Sequence, residues 1–380
     1  MSYVTESRMQ RVAFLGTEGA VPLARYGFDA TLERCGLNTG NLIFQYATWS
    51  ALQHPKFSVN LASDPEWIRQ NADVLFIPAA NQINPEWDLQ DWADFVEAVD
   101  LPIVMVGLGA QTQIGGTAKL LLKPGTMNYL AAIAERTSHI GVRGEFTADV
   151  LNHLGIKNSV VTGCPSNFLN PNISGDSIAS QLKNASNGSL RKTCYVFGTM
   201  EPETREAEKS LYAIAKAENS DYVYQTNPRI LKSLHNDNVD LASIDYFDWE
   251  CSILDSASSL ERYTDNILNK GRFYTSAVTW IDQAAHYSLV YGMRIHGNIA
   301  AIQGGGLGIC VAFDSRTLEL ATTMGYPYIP MDNILNKSRF RLKDLIEETR
   351  FSPTHFDSQR KSLRENVKKI MANSGINYYI

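Results

Sequence analysis

Tyr291-Gly-Met-Arg294-Ile-His296-Gly297-Asn298-Ile-Ala-Ala-Ile-Gln303-Gly-Gly-Gly306 runs from a short apolar segment, through an arginine and a histidine, into a helical pattern. Side chains alternate faces along a strand, so an extended Tyr291 to Ile295 sends Arg294 and His296 out on the same side. The apolar positions 299 to 302 predict a buried helix that begins at or just after His296. A cation and an imidazole then stand at a strand end beside a helix N-terminus, where free backbone N–H groups and the positive end of the helix dipole favour an anion. In open α/β sheets, ligands bind beyond the carboxyl ends of the strands. The competing reading is a structural histidine satisfied by hydrogen bonds, so the weight falls on the rest of the chain.

The same geometry occurs once more. His139-Ile-Gly-Val-Arg143 reads as a strand and Gly144 to Leu154 as the helix behind it, which again puts an arginine at a strand end. Two such positions in two halves of a chain suggest facing anion clamps, because the planar guanidinium fork suits carboxylate and phosphate. Pairing with the protein's own carboxylates is the alternative for Arg143.

Around these two points, short apolar runs alternate with helical patterns, the signature of parallel sheets covered by helices. Strands are predicted at Arg11–Gly16, Ala72–Ile77, Pro102–Gly107 and Ser159–Gly163, and helices at Leu42–Leu52 and Pro85–Val99. Gly40 and Asn41 open the first of these helices, either as a backbone cradle for a ligand or as an ordinary cap. Trp87, Trp92 and Phe95 read as core aromatics, with stacking on a sugar as the alternative. Gly107-Leu-Gly109-Ala-Gln111 follows the doubly buried strand and leads into Gln113-Ile-Gly-Gly-Thr117; the turn admits close approach to the backbone but lacks the G-x-G-x-x-G register. Cys164 reads as a small buried residue, since no histidine adjoins it in sequence.

Residues 171 to 192, rich in Asn, Ser and Gly, read as a linker. Beyond it, Lys192–Gly198, Asp221–Gln225, Phe273–Thr275 and Gly308–Phe313 are predicted strands, and Glu201–Asn219, Ala277–Val290 and Thr317–Met324 helices, the last stopped by Gly325 and Pro327. The stretch from Pro228 to Asp248 has no clear period. The expected organisation is an α/β protein of two Rossmann-like domains facing a cleft: residues 1–175 on the acceptor side, 190–345 on the donor side, and a helical tail, 346–380, that can pack back on the first domain.

The 380 residues exceed one ordinary core. Hydrophobic content of 44% and charged content of 19% are those of a globular chain. A net charge of −6 and a pI near 5.7 argue against nucleic acid, which needs a dense basic face. Five scattered cysteines without a C-x-x-C pair fit a reducing compartment, and the seven histidines lack metal-site spacing. No signal peptide is evident, and the longest apolar run, Leu101 to Ala110, is about half a membrane span. A cytoplasmic protein is expected. The N-x-S/T sequences at Asn172, Asn184, Asn187 and Asn336 then carry no meaning.

Gly40-Asn41, Gly107-Leu-Gly-Ala-Gln111, Val142-Arg143, Gly163-Cys-Pro-Ser166, Arg294-Ile-His296-Gly297-Asn298 and Asp314-Ser-Arg316-Thr-Leu-Glu319 fall in an order that resembles the polysaccharide pyruvyl transferase family, from about Gly40 to Pro327. No single motif is decisive; the ordered set is more specific than any one of them. The resemblance implies a fold like the GT-B glycosyltransferases and transfer of pyruvate from phosphoenolpyruvate onto two hydroxyls of a sugar, forming a cyclic ketal. It maps the family's donor-binding arginines onto Arg143 and Arg294 and its catalytic histidine onto His296. Gly40, Asn41, Gly109, Gln111, Ser166, Gly297, Asn298, Asp314 and Arg316 are the accompanying candidates for substrate binding. No metal or cofactor is implied, phosphoenolpyruvate being the donor substrate; the partner is a sugar or oligosaccharide acceptor, lipid-linked or free. Gly144 departs from the family, where an acidic residue is common, and the acceptor side transfers no residue. The oligomeric state stays open.

The residues suit that chemistry. A donor with a carboxylate and a phosphate needs two fixed cations. Protonating the enol methylene makes the adjacent carbon electrophilic while a hydroxyl loses its proton, and one imidazole can serve either step and reverse role. Asp314, Arg316 and Glu319 flank these groups, either near substrate or as an ion pair at a helix start. The rival readings are a nucleotide-sugar glycosyltransferase of the same architecture and a non-catalytic sugar-binding protein.

Overall fold

The computed structural model describes residues 9–236 and 240–380. Two six-stranded sheets organise it, and every strand pair in both is parallel. The first holds β1 (Val12–Leu15), β2 (Lys56–Val59), β3 (Val74–Pro78), β4 (Ile103–Leu108), β5 (Ile140–Val142) and β6 (Ser159–Val161) in the order β2-β1-β3-β4-β5-β6. The second holds β7 (Thr193–Val196), β8 (Asp221–Val223), β9 (Gly271–Arg272), β10 (Leu289–Gly292), β11 (Gly308–Ala312) and β12 (Tyr328–Pro330) in the order β12-β11-β10-β7-β8-β9. These are the two Rossmann-like units the alternating pattern predicts. In the second, strand order reverses between β7 and β10, and a crevice at such a switch point is where an open α/β sheet receives ligand.

Burial explains which strands the sequence reveals. Every residue of β1, β3, β4, β7, β10 and β11 is buried, so each reads as a continuous apolar run. β2 is a half-exposed edge carrying Lys56 and Ser58, and its pattern escapes notice. Gly292 ends β10 at φ 145°, and a Cβ there would lie 2.1 Å from the Val196 carbonyl oxygen on β7. Only glycine lets the chain leave the sheet at this point and turn toward Arg294.

Several predicted elements shift. The helix after β10 spans Ile295–Gln303, with Arg294 as its N-cap and all nine helical residues buried. His296 is therefore in the first helical turn and not on a strand face with Arg294. The apparent linker contains a helix, Gly175–Ser186, capped reciprocally by Ser174 and Ser177 and buried along Ile178 and Ala185. Its Asn/Ser content marks a solvated face. The helix expected from Pro85 begins at Gln90, which leaves Trp87 46% exposed in a turn, while Phe95 is buried and Trp92 packs edge-on against Tyr129. The helix expected from Glu201 begins at Arg205, and β9 lies just before the predicted Phe273–Thr275. The unplaced stretch folds as helices Pro228–Asn236 and Leu241–Leu254, apart from 237–239, which lie outside the described residues.

The carboxyl edges of the two sheets meet. Beyond β4 and β11, Thr112 N–H donates to Ser315 Oγ (2.9 Å) and Ser315 N–H to the Thr112 carbonyl (3.1 Å). At the start of helix Glu145–His153, Glu319 receives Thr147 N–H and Oγ–H at 2.7 and 2.8 Å. Thr39 N–H donates to the Gln225 carbonyl, and Ala277 N–H to that of Gly19. Helix Pro353–Asn373 returns the chain across the first sheet, where Asn366 donates to the Val161 carbonyl, and Tyr379 N–H closes on Ala51. Among the described residues, no helix is long and apolar enough to cross a membrane.

Candidate active site

Arg143 follows β5 directly. Pairing of β4 with β5 is irregular between Met105 and Leu108, and within this bulge Gly107 adopts φ 81°. Bulges re-aim backbone groups near functional sites; here the Gly107 carbonyl accepts Arg143 Nε–H at 2.9 Å. The guanidinium is held but not consumed. Arg143 is 2% exposed, and its Nη2 has no hydrogen-bond partner. Gly109 lies against it: a Cβ there would meet Arg143 Cδ at 2.8 Å.

Across the cleft, Arg294 donates through Nη2 to Thr226 Oγ1 (2.9 Å) and through Nε to the Gly198 carbonyl (3.4 Å), which ties the end of β10 to the end of β7 at the switch point. Burial, reinforced by Arg316, pushes its pKa down to about 10, so it remains a cation at neutral pH. Burial and the neighbouring Arg316 likewise hold the Arg143 pKa below its ordinary value. Among the described residues, neither Arg143 nor Arg294 forms a salt bridge.

His296 is 8% exposed, with its ring tilted against Phe44 of helix Asn41–Ala51. Its Nε2 lies 3.8 Å from Cys164 Sγ, which accepts Ser166 Oγ–H at 2.9 Å. Sequence reasoning passed over this pair because its members are 132 positions apart. Burial, then Arg143, Arg316 and Arg294 in turn, pushes the His296 pKa well below the usual imidazole value. The resting imidazole is neutral at pH 7, surrounded by three guanidiniums.

The remaining candidates divide. Arg316 pairs with Asp314 (3.3 Å) yet keeps a buried Nε without a partner; Asp314 caps helix Ser315–Met324 and receives Gln111 Nε2–H at 3.3 Å from the first domain. Gly40 and Gly297 both adjoin the Gln225 side chain, where a Cβ would meet its amide at 2.2 and 3.2 Å. Asn41 and Asn298 are braces: Asn41 donates to the Cys35 carbonyl (3.0 Å), and Asn298 to those of Gly292 and Arg294 (3.1 Å each). Gly144 has a steric reason for departing from an acidic residue, since a Cβ would lie 2.5 Å from both Glu319 Cγ and Thr323 Oγ1.

What the arrangement offers is a buried neutral base inside a cationic shell, with donor positions left open at Arg143 and Arg316. A sequence model described as polysaccharide pyruvyl transferase matches residues 23–315, well over half of the chain. The chain belongs to the polysaccharide pyruvyl transferase family. Membership makes it one of a family of transferases associated with sugar polymers. Comparison with curated proteins gives no match.

Among solved structures, a UDP-GlcNAc 2-epimerase from Methanocaldococcus jannaschii is 12% identical over 94% of this chain and 99% of its own, with a TM-score of 0.44. A UDP-N-acetylglucosamine 2-epimerase from Rickettsia bellii is 11% identical over 96% and 98%, with a TM-score of 0.43. Anabaena HepE, solved with UDP and glucose, is 9% identical over 96% and 95%, with a TM-score of 0.41. At these scores the likenesses say nothing about the site.

Proposed function

We propose that this pyruvyl transferase family member moves the enolpyruvyl group of phosphoenolpyruvate onto two hydroxyls of a sugar in a glycan, with His296 as general acid/base and Arg143 and Arg294 as anion clamps. The observation that carries the reading is the cationic shell around His296, in which Arg143 Nη2 and Arg316 Nε are buried without partners. A buried unpaired donor is costly, and a bound phosphate or carboxylate removes that cost.

In the first step, a sugar hydroxyl adds across the enol double bond. Its oxygen bonds to the central carbon of the donor, neutral His296 takes its proton, and the imidazolium returns that proton to the methylene, which becomes a methyl group. In the second step, the other hydroxyl displaces phosphate, whose departing oxygen receives the second proton. The products are the ketal and inorganic phosphate, so atoms and charges balance. Donor binding places negative charge beside His296, which offsets the three guanidiniums and raises its proton affinity when an acid is needed.

Titration calorimetry with phosphoenolpyruvate tests the clamp. Wild type is expected to bind, and Arg294→Gln to weaken binding about tenfold or more, the loss of one charge-assisted hydrogen bond. Equal affinity in the two proteins would remove Arg294 from the donor site.

A further inference from the structure

Next to the arginine cluster, at the carboxyl ends of β7 and β8, the second domain holds a cavity of about 410 Å³. That volume falls within the roughly 300–1,000 Å³ of small-molecule sites. Arg294 lines it, so it opens beside the donor clamp. Tyr246 and Trp249, on helix Leu241–Leu254, form an aromatic wall with ring centroids 5.1 Å apart, and the guanidinium of Arg205, which also lines the cavity, lies 5.3 Å from the centre of the Trp249 ring. Two lining residues carry polar side-chain atoms without partners: Gln225, 2% exposed and with its amide against Gly40 and Gly297, leaves Nε2 unpaired, and Thr199 leaves Oγ1 so. The lining carboxyl of Glu250 is buried and accepts Tyr263 Oη–H at 2.9 Å; burial raises its pKa to about 8, so at neutral pH it is an acid that can also donate. Two lining residues, Met200 (φ 56°) and Asn227 (φ 69°), hold left-handed backbone, which is uncommon for methionine and ordinary for asparagine.

Phosphoenolpyruvate is too small and too anionic to need such a surface. Aromatic faces together with unpaired amide and hydroxyl groups match a ring that is apolar on its faces and hydroxylated at its rim. We propose that this cavity binds one neutral pyranose unit of the acceptor glycan, with Trp249 as the stacking platform and Gln225 hydrogen-bonding its hydroxyls. The second domain then holds acceptor as well as donor. This rests on the pyruvyl-transfer reading, which it deepens by locating the acceptor.

The experiment is saturation-transfer NMR of the full chain with methyl glycosides of β-galactose, glucose and mannose, without phosphoenolpyruvate, and calorimetry with phosphoenolpyruvate on the same samples. Wild type is expected to bind at least one glycoside. Trp249→Ala should weaken that binding about tenfold or more, while Trp249→Phe retains most of it and donor affinity stays within about twofold. Gln225→Met, which keeps the volume and removes the amide, supplies a second variant should the alanine protein fail to fold, and should weaken glycoside binding alone. Binding that survives Trp249→Ala and Gln225→Met, binding of no glycoside, or binding of UDP in their place that Trp249→Ala abolishes would overturn the proposal. Glycoside binding through Trp249 in a protein that ignores phosphoenolpyruvate would leave the sugar site standing and sink the pyruvyl-transfer reading.

Discussion

Replacing Gly144 by alanine probes how closely the two domains must approach for the site to form. Gly144 has φ −175°, an extended conformation open to any residue, so the cost of the methyl group is purely spatial. It would lie 2.5 Å from Glu319 Cγ and Thr323 Oγ1, and 2.8 Å from Glu319 Oε1. Overpacking of this kind costs about 1–3 kcal/mol. Glu319 also accepts both hydrogen bonds from Thr147, at 2.7 and 2.8 Å, and displacing it weakens interactions of a type worth about 1.5–3 kcal/mol. The total is then roughly 2.5–6 kcal/mol, equivalent to a fall in thermal midpoint of about 3–8 °C for a chain of this size. The sharper assay is a double-mutant cycle. In a Glu319→Ala background the new methyl meets less resistance, and the coupling between the two substitutions should be about 1–3 kcal/mol. An equal cost of Gly144→Ala in both backgrounds, or a cost below about 0.5 kcal/mol in wild type, would refute the steric argument.

Two further outcomes follow from the buried titrating groups. The pKa of Glu250 is raised from 4.5 to about 8 by burial, so the folded protein binds an extra proton and loses stability as pH rises from about 4.5 through 8. Glu250→Gln should cancel up to roughly 4 kcal/mol of that loss, seen as a smaller drop in thermal midpoint between pH 5 and pH 8.5 than in wild type; parallel pH profiles would show that Glu250 is ionised throughout. His296 should titrate, by NMR of its ring, well below the usual imidazole range in the free protein, because burial and three guanidiniums oppose its charged form, and phosphoenolpyruvate should move that titration upward. An unchanged titration on saturation with donor would separate His296 from the anion site.

The architecture was legible where burial is complete. Runs such as Pro102–Gly107 and Gly308–Phe313 show two-sided burial as unbroken apolar sequence, and Arg143 and Arg294 stand at strand ends where the pattern placed them. Local composition misled where capping decided the structure: Ser174 and Ser177 turn a Ser/Asn-rich segment into a helix. At the Arg294 junction the helix begins at Ile295, one residue before the apolar pattern places it, since a strand ending and a buried helix beginning are both apolar and only the position of Gly292 marks the change. What no sequence window contains is tertiary proximity. Cys164 beside His296, Glu319 on Thr147, and the wall of Tyr246 and Trp249 beside Arg294 join segments from different parts of the chain. The steric need for Gly144 belongs to the same class, because the group that excludes a side chain there comes from the other domain.

Phosphate release from phosphoenolpyruvate, followed by phosphorus NMR with and without a panel of β-galactosides and other glycosides, reads out whether His296 and its arginines carry pyruvyl transfer. Wild type should release inorganic phosphate only when a suitable acceptor is present, and His296→Ala should abolish release while still binding the donor. Donor-independent binding of a nucleotide-sugar with no phosphate release, or undiminished release by His296→Ala, would exclude pyruvyl transfer at His296 and take the roles of both arginines with it.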